Sequence, residues 1–96
     1  MKFIIYTQDK PDSLHIRKAN RDAHLAWLKS DNPDVTLLTA GPWLDDDEVM
    51  RGSMLIVEAE SKETVENWLE SDPYKKAGLP GKVMVKAFIW AIGLPE

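Results

Sequence analysis

Arg17, Arg21, His24 and Leu28 follow one another at intervals of four, three and four residues, the spacing that lines side chains along one side of an α-helix. An imidazole exchanges protons near neutral pH at little cost, so His24, at the border of the apolar face, is the residue best suited to general acid or base work. A core-edge histidine with a satisfied ring leaves the same trace in a sequence. Arginines one turn apart repel by about 0.3 kcal/mol and become useful when an anion or carboxylate sits between them. Without one, Arg17 and Arg21 form a solvated basic face with snorkelling stems.

Asp72 precedes Pro73, which biases it toward an extended backbone and so limits the directions its carboxylate can take. Such a carboxylate can reach His24, hold its tautomer and stabilise the imidazolium, provided that the two helical segments pack side by side on a sheet. The same dipeptide also serves as an Asx-type turn at a helix boundary. His15, among polar neighbours, is given no role. Of the four tryptophans, Trp43, just after Gly41-Pro42, is the one positioned to line a pocket.

The remaining inventory is restrictive. With no cysteine there is no disulfide frame, no thiolate chemistry and no structural zinc site of the cysteine type. No glycine-rich phosphate loop is present. The run Asp45-Asp46-Asp47-Glu48 lacks the alternating spacing and central glycine of a calcium loop, and consecutive acids usually face water. Neither a metal nor a cofactor is expected, which leaves acid-base work.

The elements that must position these side chains read β-α-β-β-α-β. Residues 2–8 are rich in β-branched and aromatic types and stop at the turn chemistry of Asp9-Lys10-Pro11-Asp12. Asp12 or Ser13 caps a helix ending near Ser30, with Leu14, Ala19, Ala23, Leu25, Trp27 and Leu28 at helical spacing. Residues 35–40 form a second strand ending at Gly41-Pro42, and residues 52–59 a third. Ser61 caps a short helix with Val65, Trp68 and Leu69 on its apolar face, stopped by Asp72-Pro73. Residues 75–82, with Gly78, Pro80 and Gly81, read as loop, residues 83–90 as the last strand, and residues 93–96 as a loose tail.

This order predicts an α+β, ferredoxin-like fold: a four-stranded antiparallel sheet with two helices on one face. Strands one, three and four are apolar at both parities (Phe3/Ile5 and Ile4/Tyr6; Met54/Ile56 and Leu55/Val57; Met84/Phe88 and Val83/Val85/Ile89), so the uncovered face also wants burial. Two copies stacked sheet to sheet, as a homodimeric α/β barrel, would supply it.

Ninety-six residues with 44% hydrophobic and 29% charged content fit a single domain over 1–96. The net charge of −4 opposes the positive field that phosphate binding demands, so nucleic acid is not an expected partner. Phe3-Ile4-Ile5-Tyr6 is too short for a signal-peptide core or a membrane span, and with the missing cysteines it suits a cytoplasmic protein free of membranes.

Five motifs together resemble the YCII-related (YciI-like) family over nearly the whole chain. They are Tyr6-x-x-Asp9, Arg17-x-x-x-Arg21-x-x-His24-Leu25, Thr39-Ala40-Gly41-Pro42, Gly52-Ser53 and Ser71-Asp72-Pro73-Tyr74, in this order. The resemblance implies a ferredoxin-like subunit of a dimeric α/β barrel with an active site around a His/Asp pair. Carried over residue by residue, the pair is His24 and Asp72, with Arg17, Arg21, Ser53 and Tyr74 beside it as substrate-binding neighbours. A dehydrochlorinase of a chlorinated hydroxyhydroquinone is a characterised relative, and muconolactone isomerase is a more distant match in fold. The chain departs from the family in its last strand, where Ile89-Trp90-Ala91-Ile92-Gly93 is more apolar than the family's basic endings.

The expected function is that of a cofactor-free enzyme of the lyase, isomerase or dehydrochlorinase type. In it His24, oriented by Asp72, is the general base on a small phenolic, lactone or enol substrate whose negative charge Arg17 and Arg21 hold. The alternative is a non-catalytic small-molecule-binding or regulatory module using the same cleft. An RNA-binding version of the fold needs aromatic platforms on strands one and three in basic surroundings; Tyr6 is present, but Met54, Leu55 and Ile56 and the charge of −4 oppose it.

Overall fold

A computed structural model of the chain describes residues 1–93, so the expected loose tail at Leu94, Pro95 and Glu96 lies outside the described residues. The elements are β1 (Lys2–Asp9), α1 (Leu14–Lys29), β2 (Val35–Leu44), β3 (Met50–Ala59), α2 (Lys62–Leu69), α3 (Pro73–Lys76) and β4 (Pro80–Phe88). The strands lie in the order β2-β3-β1-β4 and every neighbouring pair is antiparallel. This is the ferredoxin-like α+β arrangement.

Alternation along the central strands decides which residues meet the helices. Phe3 and Ile5 of β1 lie opposite Val57 and Leu55 of β3, and Ile5 also opposite Val85 of β4. All five are buried against Val65 and Trp68 of α2, with Trp27, Leu28 and Leu69 packed around them. Trp27 stacks on Trp68 at 4.2 Å between ring centroids, which fixes α1 beside α2. Full burial of a side chain such as Ile5 stabilises by roughly 1.5–3 kcal/mol, so this cluster supplies the rigid floor on which the polar residues of α1 are held.

Several boundaries differ from the sequence expectation. Gly41-Pro42 does not end β2, which runs on to Leu44 with Pro42 opposite Ser53. β2 is an edge strand, where a missing amide donor is tolerated. The same reason lets Pro80 open β4 on the other edge, so residues 80–82 are strand rather than loop. At its far end β4 stops at Phe88 instead of Trp90, because Phe88 already pairs with Lys2, the first residue of β1. Ile89 and Ile92 beyond it are exposed.

Asp72-Pro73 ends one helical segment, as its residue types predict, and also starts another. Asp72 is extended at φ −63°, ψ 125°, its side chain accepts from the Tyr74 amide at 2.9 Å, and Pro73 occupies the first turn of α3. Proline loses nothing there, since that amide has no helical partner anyway. Ser13 precedes α1 without capping it through its side chain, which donates to Pro11 O.

The face of the sheet away from the helices carries Ile4, Tyr6, Met54 and Met84, the two methionines being 36% and 40% exposed. Tyr6 stacks on Trp43 at 5.5 Å with the rings 8° from parallel. The indole lies over Gly52 and donates to Thr7 O at 2.7 Å. A Cβ at Gly52 would collide with both the Thr7 carbonyl and the Trp43 ring, so only glycine lets the indole lie this close to the sheet.

Candidate functional site

The helix-facing side of the sheet changes character toward the C-terminal end of β1. After Phe3 and Ile5 the same parity brings Thr7 and Asp9, and opposite Thr7 on β3 stands Ser53. The side of α1 that meets this region is polar too: the buried residues of α1 are Arg17 and His24, two turns apart. Ala19 and Ala23, read as apolar-face positions, are exposed. α1 therefore packs by hydrocarbon only near Trp27 and Leu28, and by paired polar groups before that.

Arg17 is 2% exposed and answers a carboxylate. Its Nε donates to Asp9 Oδ2 at 2.7 Å and its Nη2 to Asp9 Oδ1 at 2.9 Å, a bidentate geometry, while Nη2 also donates to Ser53 Oγ at 2.9 Å. Ser53 is held in turn by its amide, which donates to Thr7 Oγ1 at 3.0 Å. The guanidinium carbon sits 4.7 Å from the centroid of the Tyr74 ring.

Tyr74 stacks on the imidazole of His24, with centroids 3.9 Å apart and rings 15° from parallel. His24 Nδ1 is 2.7 Å from Asp72 Oδ1, which also accepts the Tyr74 amide. A carboxylate oxygen that already accepts one N–H is an acceptor for the second, so Nδ1 carries the proton that faces Asp72, and in the neutral ring Nε2 is left with the lone pair. α3 thus does two things with one residue: Asp72 caps the helix and, through it, sets both the imidazole and the phenol ring.

Among the described residues His24 Nε2, Tyr74 Oη and Arg17 Nη1 have no hydrogen-bond partner, and no fully buried side-chain nitrogen or oxygen lacks one. Each of these three atoms therefore keeps contact with solvent although its residue is at least nine-tenths buried. Burial pushes the Tyr74 phenol above its ordinary pKa of 10.0, against the opposing pull of Arg17 and Arg21 and with a smaller push from Asp72 and Asp9. At neutral pH the Tyr74 hydroxyl is therefore protonated and able to donate a hydrogen bond.

Of the six residues singled out from the sequence, five are brought together: His24, Asp72, Arg17, Ser53 and Tyr74 form one contact chain. Arg21 is exposed at the rim, within electrostatic range of the Tyr74 hydroxyl. Asp9 belongs to the Tyr6-x-x-Asp9 motif without an expected role, yet its parity with Phe3, Ile5 and Thr7 puts a carboxylate on an inward face, where it needs a cation. Trp43 lines a hollow with Gln8 and Met50, away from His24. The acidic run serves the β2–β3 turn: Asp45 accepts the amides of Asp47 and Val49 and the guanidinium of Arg51, which together hold its carboxyl below the usual range. Among the described residues no group of three or more His, Asp or Glu side chains gathers as metal ligands would.

The YCII-related domain model matches residues 1–89. Protein YciI of Escherichia coli is 43% identical over 94 residues, covering 92% of this chain and 96% of that protein. Among solved structures, the 5-chloro-2-hydroxyhydroquinone dehydrochlorinase TftG of Burkholderia phenoliruptrix, in complex with 2,5-dihydroxybenzoquinone, superposes with a TM-score of 0.81 at 40% identity, over 93% of this chain and 94% of that one. A Bacteroides thetaiotaomicron protein of the antibiotic biosynthesis monooxygenase type has a TM-score of 0.61 at 14% identity, over 100% and 94%, and shares the fold alone. With all five motifs and the His24–Asp72 contact inside the matched span, this chain belongs to the YCII-related family.

Proposed function

We propose that the protein is a cofactor-free lyase or isomerase acting by general acid-base chemistry on a small anionic or phenolic substrate. The observation that carries this reading is the 2.7 Å contact of His24 Nδ1 with Asp72 Oδ1, which leaves Nε2 unpartnered and not fully buried. Nε2 removes a proton from the substrate, and Asp72 stabilises the imidazolium that results. Arg17 Nη1, the Tyr74 hydroxyl and Arg21 at the rim hold the negative charge that develops on substrate oxygen. In an elimination the electron pair left behind expels the leaving group as an anion; in an isomerisation the imidazolium returns the proton to another carbon. The dehydrochlorinase relative at 40% identity supports the phenolic class.

A second copy of the chain is proposed to cover the sheet face bearing Tyr6, Met54 and Met84, giving a homodimeric α/β barrel. Met54 and Met84 are exposed beside the half-buried Tyr6, and apolar side chains grouped on one face are a usual seat of association.

The test is turnover of 5-chloro-2-hydroxyhydroquinone and of small lactones, followed by chloride release and ultraviolet spectra, with His24→Ala as the comparison. Removal of a general base should lower the rate by about 10²–10⁴-fold while the fold is retained. Full turnover by the variant would remove His24 from the mechanism. Saturable binding without product across the panel would favour a ligand-binding module instead.

A further inference from the structure

The His24–Asp72 pair has a second side. Asp72 Oδ1 receives both His24 and the Tyr74 amide, whereas Oδ2 has no partner among the described residues. Because no fully buried oxygen is left unpartnered, Oδ2 must reach open space, although the side chain is only 12% exposed. Asp72 lines a cleft of about 250 Å³ between α2 and β4, of which none of His24, Arg17, Arg21 and Tyr74 forms a wall. Its floor is Leu69, Val83 and Val85. Val83 sits on the helix-facing side of the sheet, opposite Thr7, yet is half exposed, as a cleft floor would be.

We infer that Asp72 Oδ2 faces this cleft and that the cleft is a binding site for an uncharged, single-ring phenol, distinct from the His24 side of the pair and joined to it through Asp72. A closed apolar cavity of about 150 Å³ accommodates benzene, so this volume suits one ring with a substituent or two. The polar wall selects the functional group. Asp72 Oδ2 accepts only, and Thr7 Oγ1, which already accepts the Ser53 amide, has its own proton left to donate. A hydroxyl donates to the first and accepts from the second. An ammonium cannot accept and a carboxylate cannot donate, so each leaves one of the two unpaired. The charges around the cleft, Lys62 and Lys75 against Glu66, Glu70 and Asp72, leave one net negative charge, which further disfavours an anion.

A hydroxyl bound to Oδ2 draws on the same carboxylate that holds His24 and so loosens the hold of Oδ1 on the imidazole N–H. Occupancy of the cleft and the state of His24 are thereby linked, and the linkage is reciprocal. The inference rests on the cleft and the pair, and a protein without any turnover would still bind.

The experiment is an NMR titration of the whole protein at neutral pH with phenol, toluene, benzoate and benzylammonium as probes. Phenol should shift the methyl signals of Leu69, Val83 and Val85 saturably together with the Nδ1 signal of His24, and the other three probes should bind at least about tenfold more weakly, the ratio expected when a buried polar group is left unpaired. Val83→Phe, which fills the floor, should abolish the methyl shifts while leaving the His24 signals of the free protein in place. Toluene or benzoate binding as well as phenol would overturn the site, as would phenol shifting Tyr74 and His24 without the cleft methyls, or binding Val83→Phe unchanged. The comparison among probes needs no variant, so it stands even if Val83→Phe does not fold.

Discussion

Arg17 lies deepest among the charged residues of this site, and what it touches decides its role. Two of its three described hydrogen bonds go to one carboxylate, so its charge is largely answered inside the protein and only Nη1 faces outward. Removing Asp9 would leave a buried guanidinium uncompensated. Asp9→Ala should lower stability by about 3–5 kcal/mol, the usual cost of breaking one side of a buried ion pair, read as the shift of a urea transition. Tyr74 gives a pH test of the same neighbourhood. Its folded pKa lies above the ordinary 10.0, so near and above that value the unfolded chain loses the phenolic proton first. The associated stability is complete below pH 10.0 and is lost as the pH rises through the higher folded value. Tyr74→Phe should flatten that alkaline fall in the urea midpoint; a fall of the same size in the variant would assign it to other groups.

At the scale of elements, the short α3 is what turns a loop into a site. Asp72 at its start ties the imidazole to the helix cap, and Tyr74, the second residue of α3, reaches between Arg17 and His24 of α1. The β1–β3 pairing makes a comparable demand on the other face. At Gly52 the Trp43 indole crosses close to the backbone and bonds Thr7 O, the residue whose hydroxyl also holds Ser53. Gly52→Val should displace Trp43, break its bond to Thr7 and lower the thermal midpoint. Gly52 is buried under the indole, so an unchanged midpoint would show that the indole does not need this position. Trp43 fluorescence would report the displacement directly.

At the scale of the whole molecule, the sheet has one covered side and one that presents Tyr6, Met54 and Met84. A self-complementary apolar patch is the usual seat of a two-fold pair. Met84→Glu places a charge there without touching the helix-side core or the His24–Asp72 contact. The wild-type protein should elute and scatter light as a dimer and the variant as a monomer, with the far-ultraviolet circular dichroism unchanged. A monomeric wild type would leave the face to another occupant.

The order of elements and the fold class were legible because strand and helix periodicities and the turn residues are local properties of the chain. The apolar parity of β1, β3 and β4 likewise announced a sheet with demands on both faces. What was not legible is where local rules meet tertiary context. Pro42 and Pro80 read as breakers until the strand order put β2 and β4 at the edges, where proline is harmless. Asp72-Pro73 read as a stop because nothing local reveals that Tyr74 has a pocket between Arg17 and His24 to fill. Spacing along α1 put Arg17, Arg21 and His24 on one side, but only packing could separate the buried pair from the exposed Arg21. Asp9 became the partner of Arg17 through a contact between β1 and α1 that no periodicity encodes. Residue types and spacing are written in the chain; whether a charge is buried, and which group answers it, depends on surfaces that exist only after the helices settle on the sheet.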